Sequence, residues 1–185
     1  MKQALLVIDA QQELIDGNDQ EPSVYHKEEL IQNINQCVEK AYALGHPVVF
    51  IRDVCVSNGE GDGFQVHHGI EVPLDAQIFD KEGTNSFYQT PLLGWLKDHE
   101  IEHVVITGCK TDYCVDTAVR AATVNGFDVT LVADGHGTTD NSVLSAEQII
   151  QHHNEILHGF DNVEHFSMVR KSAEDLFSPL HDTYR

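Results

Sequence analysis

A chain of 185 residues, 41% of them apolar, is long enough for one domain with a sizeable core and short for two. A formal net charge of −19 repels phosphate backbones, so no nucleic-acid partner is expected, and it suits a neutral or cationic small substrate better than a polyanion. The opening "MKQALLVIDAQQ" reaches Asp9 too soon for a signal segment or membrane span, and four cysteines without such a signal point to free thiols in a reducing, cytoplasmic setting.

"ALLVID" (4–9) reads as a strand buried on both faces and ending in an acid. Residues 27–44 place Leu30, Ile34, Cys37, Val38 and Ala41 on one helical face, with Gly45 as the stop. "PVVFI" (47–51) is the second strand, and the glycine-rich stretch 56–75 is a long loop. "AQIF" (76–79) is a weaker strand, followed by Lys81. Residues 90–100 read as a helix, with Pro91 in its first turn. "HVVIT" (103–107) is a strong strand, and a helix from Cys114 stops at Asn125-Gly126. A strand over 127–134, a helix over 146–157 with capping-box residues Ser145 and Gln148, a strand over 163–169 and a short terminal helix complete the chain. No repeat or linker divides it, so residues 1–185 are read as a single domain.

Strands alternating with helices predict a parallel sheet covered on both faces. Sites in such sheets form beyond the carboxyl ends of the strands, near the switch in strand order. Asp9, Lys81 and Cys114 all fall at such ends. Position alone leaves Cys114 open between a disulfide with Cys109, a buried structural thiol and a nucleophile. Its place at a helix start favours a thiolate, and an ammonium nearby would do so further.

Three segments carry a resemblance. "LLVIDAQQEL", "KEGTNSFYQTPL" and "GCKTDYCVDTAVRAATVNG" follow one another in order across nearly the whole chain. Together the chain resembles the isochorismatase-like cysteine hydrolase superfamily, which includes nicotinamidases and N-carbamoylsarcosine amidase. The resemblance implies a three-layer α/β/α fold with a six-stranded, mainly parallel sheet of order 3-2-1-4-5-6. It implies a catalytic triad of Asp9, Lys81 and Cys114. It also implies a cis peptide at Cys109–Lys110 and an oxyanion hole from the Lys110 and Cys114 backbone N–H groups. Gln11, Leu14, Phe87 and Tyr113 are the expected substrate pocket.

The expected reaction is hydrolysis of a small carboxamide, ureido or lactam C–N bond. Vinyl-ether hydrolysis of the isochorismatase type is the alternative, and a ligand-binding or redox-sensing relative the non-enzymatic one. Nicotinamidases commonly carry an Asp-x-His metal motif after strand two. This chain reads Asp53-Val54-Cys55, so no metal and no cofactor are expected, and a set of Asp53, Cys55 and His67 or His68 has no closed ligand spacing. His67-His68 and His152-His153 are read as polar positions on a loop and a helix. Ala118 and Leu14 depart from common family residues without touching the triad. The loop 57–69 is a candidate specificity element. A homodimer or homotetramer is expected by resemblance only.

Overall fold

The computed structural model describes residues 1–185. Strand β1 (Lys2–Ile8) is buried on both faces, and its alternating side chains divide the interior into two cores. Ala4, Leu6 and Ile8 point into one, Leu5 and Val7 into the other. Parallel strands β2 (Val48–Asp53) and β4 (Ile101–Cys109) flank it. Beyond them lie β3 (Gln77–Lys81) on one side and β5 (Asp128–Gly137) on the other. A hairpin of β6 (Asp161–Asn162) and β7 (His165–Arg170) completes a seven-stranded sheet of order β3-β2-β1-β4-β5-β7-β6. All pairs are parallel except β6 with β7.

Helix α2 (Lys27–Ala43) covers one face with Leu30, Ile34, Cys37, Val38 and Ala41, the residues its periodicity selects. It ends at Leu44, and Gly45 takes a φ of 72°, a conformation that costs glycine nothing. The opposite face is covered by α4 (Leu92–Asp98) and α5 (Asp116–Val124), through Leu92, Leu96, Val119 and Ala122. Helix α6 (Ala146–Leu157) starts at a full capping box between Ser145 and Gln148.

The core strand order is the one expected, with one strand more. The run 163–169 is not continuous: Val163 takes a φ of 63° in a tight turn, and the two residues before it pair back on His165 and Phe166. The stretch 56–75 is also less bare than its composition suggests. It holds a 3₁₀ turn (Val56–Gly59) and the short α3 (Gly61–Phe64), which packs near α1 (Gln12–Asp16), one residue longer. The terminal helix is a single 3₁₀ turn over His181–Thr183. The helix expected from Cys114 begins two residues later, because residues 111–115 form a wider π-type turn.

Candidate active site

Register brings the strand ends together. Ile8 lies beside Ile51 on one flank and Gly108 on the other, and Asp53 pairs with Lys81. Asp9 follows immediately, held in the left-handed region (φ 46°) while its N–H donates to the Ile51 carbonyl (2.8 Å). Acids tolerate that conformation better than β-branched residues do. Its carboxylate Oδ2 then lies 2.8 Å from Lys81 Nζ. The same ammonium lies 2.8 Å from Asp53 Oδ2 and donates to Cys114 Sγ at 3.4 Å. Asp9, Lys81 and Cys114, drawn from three distant segments, thus converge on one point, and Asp53 joins them.

Burial would strip all these charges, since Asp9 and Lys81 are 1% and 2% exposed. The counter-charges prevent it. Burial pulls the Lys81 ammonium down, but the Asp9 carboxylate, the Cys114 sulfur and Asp53 outweigh that and hold it above its ordinary value. Burial pushes Asp9 up to about 6 against the opposing pull of Lys81. Burial also tends to raise Asp53, yet hydrogen bonds from Lys81 and the Cys55 N–H leave it below the usual range. Cys114 is pushed up to about 12, first by burial and then by the Asp9 carboxylate, with Lys81 opposing. At neutral pH the resting cluster is therefore carboxylate, ammonium and neutral thiol.

The turn carrying the thiol is fixed at several points. Gly108 has a φ of 124°, and a Cβ there would meet the Ile8 carbonyl oxygen at 1.9 Å, so only glycine lets β4 lie this close to β1. The Cys109–Lys110 peptide is cis. The Val115 N–H donates to the Lys110 carbonyl (3.2 Å) and the Asp116 N–H to Thr111, which spans Cys114 in a wide turn. Thr111 is held from below. The Asn154 side chain donates to the Ala133 carbonyl (2.9 Å), leaving its oxygen to accept from His136 Nε2–H (2.9 Å). His136 Nδ1 then accepts from the Thr111 hydroxyl (2.9 Å). Burial pushes this histidine down to about 4, so the neutral ring that this chain of bonds requires is the one present.

A cavity of about 400 Å³ borders Asp9, Asp53 and Cys114. Leu14 and Tyr113 stand on its wall as expected pocket residues, with Val56 of the glycine-rich loop beside them. Gln11 and Phe87 do not. Gln11 is fully buried, and its amide donates to the Asp53 and Phe64 carbonyls (3.1 and 2.9 Å) and accepts from the Asp53 N–H (2.8 Å). It satisfies backbone groups where β2 ends, which fixes Asp53 rather than a ligand. Phe87 faces the core, stacked against Phe127 with ring centroids 6.3 Å apart.

The residues weighed for a metal do not assemble. His67 is turned to Asp16 (3.4 Å), and His68 pairs with Asp62 (2.9 Å). Cys55 is exposed, with Sγ near the Glu82 carbonyl. The one convergent set of ligand-type groups is Asp9, Asp53 and Cys114, and the Lys81 ammonium sits against all three. These residues fit an internal ammonium, not an Asp-His metal site. Cys109 is fully buried, pushed above the usual thiol range by burial, and makes no disulfide.

A parallel sheet that reverses its winding at β1 and β4, with a polar crevice over that junction, defines a doubly wound α/β protein with its site at the switch point. The isochorismatase domain family model matches residues 3–156, and the chain belongs to the isochorismatase family of hydrolases. It is 32% identical over 139 residues to the isochorismatase family protein YrdC of Bacillus subtilis (strain 168), covering 72% of each chain. It is 34% identical over 103 residues to the nicotinamidase of Escherichia coli (strain K12), covering 49% of this chain and 47% of that one. A solved isochorismatase family protein superposes with a TM-score of 0.81 at 27% identity, over 91% of this chain and 98% of its own. N-carbamoylsarcosine amidase from Thermoplasma acidophilum has a TM-score of 0.74 at 22% identity, over 95% and 99%, and so shares the fold.

Proposed function

We propose that the protein is a cysteine-dependent hydrolase of a small amide, acting through a thioester on Cys114. The observation that supports this most is the contact of one ammonium with the thiol at 3.4 Å and with the Asp9 carboxylate at 2.8 Å beside an open cavity. A thiol pushed up to about 12 is a poor nucleophile alone, so the proton must leave as the bond forms. Asp9, at about 6, is ionised and placed to take it.

Cys114 Sγ attacks the carbonyl carbon while its proton passes to Asp9. The oxyanion that forms is held by the Lys110 and Cys114 backbone N–H groups, each contributing ~10²–10³ in rate. The C–N bond breaks, Asp9 returns the proton to the nitrogen, and ammonia or an amine leaves. Water then attacks the thioester with Asp9 again accepting a proton, and as the S–C bond breaks Asp9 passes that proton to the departing sulfur, which restores thiol and carboxylate and releases the acid. Lys81 stays charged throughout and offsets the negative charge moving between Asp9 and the sulfur.

Two curated relatives are a nicotinamidase and a nicotinamidase/pyrazinamidase, names that describe amide cleavage in those proteins. Isochorismatase-type ether cleavage is the second reading, and the carboxylates around the cavity disfavour its dianionic substrate. Ammonia release from a panel of amides, against pyruvate release from isochorismate, separates the two. Cys114→Ala should lower amide turnover by about 10⁴-fold or more with the fold retained. Turnover of an amide at the parent rate by this variant would end the proposal.

A further inference from the structure

The cavity wall is charged in one sense. Asp9, Glu21, Asp53, Asp112 and Asp140 all border it, against the single ammonium of Lys110 on the wall and Lys81 behind. Lys81 is committed to Asp9 and Asp53, and Lys110 lies 2.7 Å from Glu21. Asp112 and Asp140 are left without a cation. Asp112 accepts only from the Thr138 hydroxyl (2.7 Å), and Asp140 from the Ala146 N–H (2.7 Å). Deeper in, Asp9 Oδ1 is buried with no hydrogen-bond partner. Tyr113, 59% exposed, adds an aromatic ring to the same wall.

We infer that the substrate is an amide that also carries an organic cation, an ammonium or guanidinium group, which pairs with Asp112 and Asp140 while the amide meets Cys114. The inference rests on the cavity being the active site. Uncompensated carboxylates beside low-dielectric walls attract a cation and repel an anion of equal size. An aromatic face next to them is the second half of a common cation-binding arrangement. Asp112 is two residues from the nucleophile, so a cation held there lies one small molecule's length from the sulfur.

The test needs no knowledge of the natural substrate. Two methanethiosulfonate reagents, one with a trimethylammonium group and one with a sulfonate, modify Cys114 in a Cys55→Ser protein. The thiolate attacks the sulfenyl sulfur, methanesulfinate leaves, and mass spectrometry locates the mixed disulfide. The ratio of cationic to anionic rate, divided by the ratio for 2-mercaptoethanol, should be about tenfold or more. Asp112→Asn keeps the bond from Thr138 and should narrow the ratio about threefold, as should Asp140→Asn. Glu102→Gln, at the far end of β4, should leave it unchanged. A ratio no greater than that of the free thiol, or one that Glu102→Gln shifts as much as Asp112→Asn, would overturn the inference. Either result together with an inactive Cys114→Ala would remove the cation and leave the amidase reading standing. An active Cys114→Ala would remove the amidase reading whatever the ratio.

Discussion

The interior holds two buried polar clusters, and the same burial has opposite outcomes in them. At the carboxyl ends of the strands, Asp9, Lys81 and Asp53 keep their charges because each faces an opposite one at 2.8 Å. At the amino ends of the strands, His103 and His181 are fully buried with ring centroids 5.3 Å apart, and the carboxylate that acts on His181, Asp128, is paired with Arg185 (2.5 Å). His103 bonds Thr130 Oγ1 (2.8 Å), and His181 donates from Nε2 to the Val129 and Phe166 carbonyls (3.0 and 3.1 Å). Burial, reinforced by His181, His46 and Arg170, pushes His103 down to about 3, and burial lowers His181 as well. Where counter-charges are supplied, burial is tolerated as charge. Where none opposes burial, as at His103, or where the carboxylate is committed elsewhere, as Asp128 is to Arg185, the histidines are driven toward the neutral form. The first cluster costs stability to hold ions out of water, and it is the one that opens onto a cavity.

Removing the central cation should break the comparison most severely. Lys81→Met leaves two carboxylates facing each other at the cavity floor, and the loss of one partner of a buried pair costs about 3–5 kcal/mol. Without the ammonium, Asp9 rises further above about 6, so less of it is ionised at neutral pH to act as a base. Turnover should fall by about 10²–10⁴, and urea denaturation should show a lower midpoint with an unchanged slope. Activity retained at neutral pH would mean that Lys81 does not set the charge of Asp9.

Asp9→Asn should separate the two jobs of that carboxylate. The base is lost, so turnover should fall by about 10²–10⁴. The thiol itself should become more acidic, because the Asp9 carboxylate is among the groups that push Cys114 up to about 12, while Lys81 remains to pull it down. Alkylation of Cys114 by iodoacetamide should therefore begin at lower pH than in the parent. In the parent, amide turnover should rise as pH climbs through about 6 and hold level beyond, since Asp9 must be ionised.

Asp9, Lys81 and Cys114 were legible in the sequence because chemistry-bearing residues at strand ends share one sheet edge and because three motifs carry the resemblance. Asp53 was legible only as a ligand without partners. Its pairing with Lys81 depends on the β2–β3 register, which hydrophobic pattern does not fix where both strands end in charged residues. His136 escaped for a related reason. Its apolar run stops at 134, yet β5 continues to Gly137, and a register shift between Ile106 and Gly108 brings His136 beside the turn that carries Cys114. Gln11 has the composition of a binding residue, and only coordinates reveal that buried carbonyls claim its amide.

The smallest effect tests the clusters against each other through pH. His103 titrates near 6.5 when unfolded and about 3 when folded, so the unfolded chain binds more protons in that window. Its contribution is present above 6.5 and is lost as pH falls toward 3. Asp9 runs the other way. Its folded value of about 6 lies above the unfolded 3.8, so its contribution is present below 3.8 and is lost as pH rises through 6. Between pH 7.5 and 5 the first should lower stability by about 2 kcal/mol and the second raise it by about 1. The parent protein should thus show a muted dependence over this range. His103→Gln, which keeps a partner for Thr130, should lose less stability than the parent on moving to pH 5, and Asp9→Asn should lose more. Urea midpoints at the two pH values read both differences, and parallel changes in the two variants would show that the clusters do not differ in the sign of their charge response.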